Sequence, residues 1–334
     1  MKVLLFGFGL IGKERYKALI DLGICMPEDI DIVDINKGIQ LDSTPQFDSE
    51  LFNLENINFL EEGSIKQSYD LLLISTPHIE ALDILDKYNH LSRNILIEKP
   101  MGLNINDAER IKLLEDRDKK IYVGFNYRFF PPVQELKKDI FNNSFGELIN
   151  VSFTIGLGHQ PGADKNWRLN LSQIPYGSLI DPGIHILDLI NYLLGGLNNV
   201  NGISSKKFWK KGYYEDLTIV GETSSDVNVA ARISNVMWRS TFQIQVLGTE
   251  GYGIIEGRGR SYGPQKYIKG ERWGWTKSQS QRESEKIVIS SNCEDSFKDE
   301  IRDVCLTNSG TAARAIDGYK AMNLLDIIDK SLSQ

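Results

Sequence analysis

The chain has 334 residues, 41% of them hydrophobic and 25% charged, and a formal net charge of −7. That length suits two soluble domains better than one core, and the acidic balance argues against a nucleic-acid partner, which needs a basic face. No apolar run is long enough to cross a bilayer, and Cys25, Cys293 and Cys305 are scattered without a CxxC pair, so neither a disulfide framework nor a thiolate zinc site is indicated. The first residues enter a strand pattern at once, unlike a secretory leader. A cytoplasmic protein with no membrane and no nucleic-acid partner is expected.

Residues 2–6 (KVLLF) read as a buried strand and 11–22 as a helix closed by Gly23 at its C′ position. Residues 30–35 (IDIVDI), 69–75 (YDLLLIS) and 94–98 (NILIE) are apolar runs of parallel-strand type. Between the last two, 78–91 has helical spacing, and a further helix over 106–116 leads into the strand KIYVGF. Residues 40–65 show no readable pattern. After Arg128 a helix starts at Pro131-Pro132, the strand LINVSFTIG follows, and a helix over 181–194 ends at Gly195-Gly196. Strand-like runs then come in succession over 199–208, 217–222, 226–234, 237–248, 252–257 and 285–290, and helices carry the final forty residues. Strands alternating with helices, then strands alone, predict an α/β fold: a doubly wound parallel sheet over 1–123, and an α+β domain over 124–334 with a largely antiparallel open sheet. The exposed face of an open sheet needs a cover, so a homodimer or homotetramer is expected.

Gly7-Phe8-Gly9-Leu10-Ile11-Gly12 fits GxGxxG between strand and helix. Gly7 permits the tight turn, Gly9 lets backbone approach a pyrophosphate, and Gly12 allows close helix packing. The helix start at Leu10 and Ile11 offers N–H groups to the anion. Asp34, about twenty residues on, stands where an acid accepts hydrogen bonds from the adenosine ribose and repels a 2′-phosphate. NAD is therefore expected in preference to NADP, with Lys37 able to soften the choice; a solvent-facing strand-end aspartate is the plainer alternative. Ser75-Thr76-Pro77 ends the next strand, at the edge of the cofactor crevice. Lys99, between Glu98 and Pro100 beyond a strand end, can hydrogen-bond a substrate hydroxyl or the nicotinamide ribose, or can be a surface lysine in a turn. Asp181, His185 and Asp188 at i, i+4 and i+7 share one face of a helix. Asp181 can then orient His185 as a general acid/base, or cap the helix ahead of Pro182 at N1. A metal held by the two carboxylates and the histidine is the weaker alternative, since no further His or Cys cluster accompanies them. Tyr127 is a candidate proton donor, and Arg128 either holds an anionic substrate group or braces the domain junction.

The glycine turn, Glu98-Lys99-Pro100, Gly124-Phe125-Asn126-Tyr127-Arg128-Phe129 and Asp181-Pro182-Gly183-Ile184-His185-Ile186-Leu187-Asp188, in that order, resemble the glucose–fructose oxidoreductase / inositol dehydrogenase (Gfo/Idh/MocA) family of NAD(P)-dependent oxidoreductases. The resemblance implies a Rossmann domain binding the dinucleotide through Gly7, Gly9, Leu10, Ile11, Gly12, Asp34, Ser75, Thr76, Pro77, Glu98 and Lys99. It implies catalytic roles for Lys99, Asp181 and His185, and substrate contacts from Asn126, Tyr127, Arg128, Trp167 and Arg168 as well. His78 and Ala81 depart from a T-P-N pattern followed by histidine that the family often shows. The implied reaction is hydride transfer between nicotinamide and a secondary alcohol of a sugar, cyclitol or nucleotide-linked sugar. Residues 261–267 (SYGPQKY) look like branches associated with nucleotide-sugar metabolism. A non-catalytic NAD(H)-binding regulator, and an enzyme using NAD transiently for hydrolysis or epimerisation, stay open.

Overall fold

The computed structural model describes residues 1–35, 57–65, 67–159, 174–273, 286–291 and 295–332, and the chain divides into two compact units. The first comprises Met1–Asn126 together with Phe297–Tyr319. Its main stretch runs β1 (Val3–Phe6), α1 (Leu10–Asp21), β2 (Ile30–Val33), β3 (Asn58–Phe59), β4 (Leu71–Ile74), α2 (His78–Tyr88), β5 (Asn94–Glu98), α3 (Ile105–Leu113) and β6 (Lys120–Gly124). The strands pair in parallel in the order β6-β5-β4-β1-β2-β3. Every residue of β1 and β4 is buried, which is why these strands are unbroken apolar runs rather than alternating ones. The order reverses at β1, which has β2 on one side and β4 on the other. A switch point of this kind opens a crevice at the carboxyl ends of its strands.

Local chemistry sets the helix limits. Asn104 accepts hydrogen bonds from the amides of Asn106 and Asp107, fixing the start of α3. Asp116, accepting from Asp118 and Lys119, makes the turn that ends it before residue 116. The helix expected over 78–91 is α2 followed by a separate 3-10 turn, Asn89–Leu91. β3 lies within the stretch that showed no pattern.

The second unit comprises Tyr127–Ser296 and Lys320–Gln334. It contains α4 (Pro131–Phe141), β7 (Leu148–Gly158), α5 (Gly183–Leu194), β8 (Asn198–Ser205), β9 (Asp216–Glu222), β10 (Asn228–Ser234), β11 (Val236–Gly248), β12 (Gly251–Glu256), β13 (Gln265–Glu271) and β14 (Lys286–Ser291). The strand order is β14-β13-β12-β11-β7-β10-β9-β8. The sheet is antiparallel except where β10 pairs with β7 in parallel. One row of residues across it, Ile219, Ala231, Phe153, Ile244, Ile255 and Tyr267, is almost wholly buried beneath α4 and α5. The neighbouring row, on the opposite face, contains Val220, Ala230, Ile254, Ile268 and Ile287 in register; Val220 is 48% and Ile287 62% exposed. α5 closes on Gly195 in the left-handed region, as expected.

The tail departs from the division expected at residue 124. Residues 297–319 do not join the second unit but pack with the first, where β15 (Ala313–Arg314) adds to β6 as an antiparallel edge. α6 (Ser296–Arg302) leads into that segment and α7 (Ala315–Leu332) leads out of it. Among the described residues no helix is long and apolar enough to cross a membrane.

Candidate active site

The sequence-derived residues fall into two groups, one in each unit. In the first unit the glycine turn is built by close approach. Gly7 has φ +84°, and a Cβ there would lie 2.8 Å from the Ser75 and Thr76 backbone. A Cβ on Gly12 would lie 2.0 Å from the Gly7 carbonyl oxygen, whereas one on Gly9 would meet nothing within 4 Å. Two glycines are thus required by packing, and the third faces open space. Among the described residues no side chain caps α1 at Gly9, and its first turn carries no acid, so its leading amides suit an anion. The Oγ1 of Thr76 is buried and makes no hydrogen bond among the described residues. An open cradle, an uncapped helix start and an orphaned hydroxyl together fit a dinucleotide.

Asp34 follows β2 and accepts the Phe8 amide at 2.6 Å, so the acid expected at the ribose also fastens the glycine loop. Lys13, nearly buried on α1, is pushed below its usual pKa by burial, with the charge of Asp34 opposing. Ser75 donates its amide to Phe6 at 2.8 Å, tying the Ser75-Thr76-Pro77 corner to the end of β1. Lys37 lies outside the described residues.

Glu98 is the last residue of β5, and Lys99 follows it, half-buried. Glu98 is gripped by a residue that the sequence reading passed over. The Arg15 guanidinium donates to Glu98 from Nε at 2.8 Å and lies 2.7 Å from it at Nη2. The same nitrogen is 2.6 Å from Glu300 of α6. Burial would lower the Arg15 pKa; the charges of Glu98 and Glu300 outweigh it and hold the pKa above its usual value. A signal was present: Gly12, Tyr16 and Leu19 mark the buried stripe of α1, and a charged residue on such a stripe requires a partner. Asn126, the last residue of the first unit's main stretch, is 4% exposed.

In the second unit the Tyr127 and His185 rings stack with centroids 3.8 Å apart and planes 3° from parallel. Both side chains are nearly buried. Phe130 and Phe242 flank the Tyr127 ring, and the Arg258 guanidinium lies 5.2 Å from its centroid. Arg258 also lies 3.8 Å from the Tyr262 ring. The expectation that Asp181, His185 and Asp188 share a helix face is corrected for Asp181. α5 begins at Gly183 with Pro182 at its N-cap. Asp181 therefore precedes the helix and does not occupy its N-cap position; its amide donates to the Gly177 carbonyl at 3.1 Å. Gly183 is needed because a Cβ there would lie 2.7 Å from the Ser178 oxygen.

Asp188 and Arg128 form a buried two-pronged pair, with Nε 2.9 Å from Oδ2 and Nη2 2.6 Å from Oδ1. The pair gives Asp188, the third member of the alternative metal set, a structural partner and gives Arg128 a bracing contact within the second unit. The motif at 261–267 is also partly structural: the Tyr267 hydroxyl donates to Asp139 of α4 at 2.6 Å. Trp167 and Arg168 lie outside the described residues.

A doubly wound unit with a fitted glycine cradle and an α+β unit containing a buried histidine are the features expected of a dinucleotide-dependent oxidoreductase. Residues 1–126 match the model of the oxidoreductase family with NAD-binding Rossmann fold, and residues 133–253 match the Gfo/Idh/MocA C-terminal domain. The chain belongs to the Gfo/Idh/MocA family. It is 29% identical to glucose-6-phosphate 3-dehydrogenase of Bacillus subtilis over 199 residues, 58% of this chain and 53% of that protein. It is also 29% identical to inositol 2-dehydrogenase of Rhizobium meliloti over 195 residues, 54% and 56% of the two chains. The chain thus spans about half the length of these relatives. Its fold is that of levoglucosan dehydrogenase solved with NADH and levoglucosan, at TM-score 0.78 and 19% identity over 100% of this chain and 97% of that one. It is likewise that of UDP-N-acetylglucosamine 3-dehydrogenase of Acidithiobacillus ferrooxidans, at 0.74 and 14% over 99% and 97%.

Proposed function

We propose that this protein is an NAD(P)-dependent dehydrogenase or reductase acting on a secondary alcohol of a sugar, cyclitol or nucleotide-linked sugar. The observation that carries the reading is the cradle itself: Gly9 opens on space beside an uncapped helix start while Gly7 and Gly12 are locked by contact. The named activities of the relatives, on a sugar phosphate and on inositol, support the substrate class. When bound, the nicotinamide supplies the hydride acceptor or donor.

Gly7, Gly9, Leu10, Ile11 and Gly12 hold the pyrophosphate in this reading, and Ser75, Thr76, Pro77 and Glu98 line the remainder of the dinucleotide. Asp34 favours NAD over NADP by charge repulsion against a 2′-phosphate. Two relatives are named as NADP enzymes, D-xylose 1-dehydrogenase and scyllo-inositol 2-dehydrogenase, so the preference is this chain's own question. Lys99 and His185 handle the proton of the substrate hydroxyl, with Asp181 acting on the imidazole. Tyr127 carries the imidazole on its face. Asn126, Trp167 and Arg168 complete the proposed substrate contacts.

A screen of free, phosphorylated and nucleotide-linked sugars and cyclitols, followed at nicotinamide absorbance with NAD and NADP, tests the reading. Turnover with stoichiometric NADH formation is expected. Tight cofactor retention with product but no net NADH would replace it by transient oxidation, and dinucleotide binding without turnover of any alcohol would replace it by a regulatory role.

A further inference from the structure

The loop from β8 to β9 reads Lys206-Lys207-Phe208-Trp209-Lys210-Lys211. Over residues 198–214 the sequence has four lysines and no acid, in a chain of net charge −7. The next residue, Glu215, is 1% exposed, and its carboxylate accepts the amides of Phe208, Trp209 and Lys210 at 2.6, 2.7 and 2.9 Å. Three consecutive amides on one buried carboxylate fix the shape of the loop. Within it Lys210 has φ +56°, a conformation that glycine takes with less strain. Phe208 stays 67% exposed, its ring 4.9 Å from that of Trp209. Trp209 Nε1 is buried and makes no hydrogen bond among the described residues. Packing does not account for an aromatic ring and cations exposed on a loop held this firmly.

The strand register puts this loop at the end of the sheet where α5 starts. Ser205 pairs with Asp216, Asp216 with Ser234, Ser234 with Gly156, and Gly158 with Val236. Asn235, between β10 and β11, donates its amide to the Glu215 carbonyl at 2.8 Å and its side chain to the Asp181 carbonyl at 3.1 Å. Ser178 donates its amide and its hydroxyl to the Tyr214 carbonyl at 2.9 and 2.7 Å. The loop is thus hydrogen-bonded to the segment that carries Asp181 and leads into His185. Trp238, 86% exposed, lies against Gly158 at the same end, and the His159 ring is 6.4 Å from that of Trp209.

We propose that the 206–211 loop is a subsite for the nucleoside diphosphate part of a nucleotide-linked sugar, with Lys207 and Lys210 at the diphosphate and Phe208 against the base. The inference rests on the dehydrogenase reading above and narrows its substrate class. A diphosphate attracts lysine ammonium groups, and every base offers a face on which an aromatic ring stacks. A free sugar or cyclitol has neither feature and gains nothing from such a loop. The sugar then lies toward Asp181 and His185, and the nucleotide toward the sheet end.

The test titrates wild-type protein saturated with NADH, so that the glycine cradle is filled, with UDP, GDP, CDP and dTDP, and with glucose 1-phosphate and glucose, by calorimetry. At least one nucleoside diphosphate is expected to bind about tenfold or more tightly than glucose 1-phosphate. Lys207→Gln/Lys210→Gln is expected to weaken that binding about tenfold, and by more at low salt than at high. Phe208→Ala is expected to weaken it about fivefold while leaving glucose 1-phosphate unaffected. These substitutions change exposed side chains, and circular dichroism checks that the variants are folded. Unchanged affinity in the folded variants overturns the subsite and leaves the dehydrogenase reading intact. So does a wild type that binds no nucleoside diphosphate yet oxidises a free sugar or cyclitol. Sedimentation with phosphatidylglycerol vesicles in place of nucleotide binding, lost in Phe208→Ala, gives the loop to a membrane surface and also overturns the subsite. A wild type that binds neither NAD+ nor NADH overturns the reading on which it rests.

Discussion

Tyr127 lies flat against His185, with ring centroids 3.8 Å apart, and that contact separates two jobs the tyrosine could do. A stacked ring contributes through its face, about 0.5–1.5 kcal/mol beyond burial, whereas a proton donor contributes through its hydroxyl. We predict that Tyr127→Phe keeps kcat within about threefold and that Tyr127→Ala loses about tenfold. Equal losses in the two variants would make the hydroxyl the active group. Lys99→Ala and His185→Ala should each lower kcat about a hundredfold or more while still binding NADH. The double variant should lose far less than the product, as residues acting on one proton do. Full multiplicative losses in steady-state kinetics would show that the two residues do not share it.

Among elements, the turn into α1 offers the cleanest separation of stability from binding. Gly12→Ala places a methyl 2.0 Å from a backbone oxygen, and overpacking of that kind costs about 1–3 kcal/mol or more. Gly9→Ala meets nothing within 4 Å and fits the extended backbone there. We predict a lowered Tm for Gly12→Ala. For Gly9→Ala we predict a Tm within about 2 °C of wild type but NADH affinity reduced about tenfold, since the methyl occupies the space of the pyrophosphate. Loss of stability in Gly9→Ala, measured by thermal melting, would contradict the assignment of that space. The same turn shows why parts of this fold were legible in sequence. GxGxxG is readable because each glycine answers a local demand, and β1 and β4 because burial on both faces leaves only apolar residues. β13 was not read as a strand: its inner face carries Gln265 and Tyr267, which is buried and bonded to Asp139, so polarity does not alternate cleanly. Asp181 resembled a cap because Asp-Pro so often starts a helix, but Pro182 takes the N-cap and the helix begins one residue later. The Arg15 to Glu300 contact spans most of the chain, and only the misplaced charge on the stripe of α1 announced it.

For the molecule as a whole, the open face of the second sheet sets the expectation. The row on the side away from α4 and α5 carries Val220 and Ala230 at one end and Ile254, Ile268 and Ile287 at the other, with Ser152 and Gln245 between them. Exposed apolar side chains on an open sheet favour a cover from another chain, and isologous pairing of two copies is the simplest cover. We predict a homodimer or homotetramer at micromolar concentration by light scattering, and dissociation when Ile254 and Ile268 are both replaced by lysine. A monomeric wild type would refute the expectation.

The return of residues 297–319 to the first unit has a consequence for biosynthesis. A ribosome completes β1 to β6 before any strand of the second unit, yet β15 and Glu300 leave the exit tunnel only after all of those strands. Until then β6 presents an open edge to other nascent chains, and Arg15 waits with one of its two carboxylates. The first unit therefore cannot close until the strands of the second have been made.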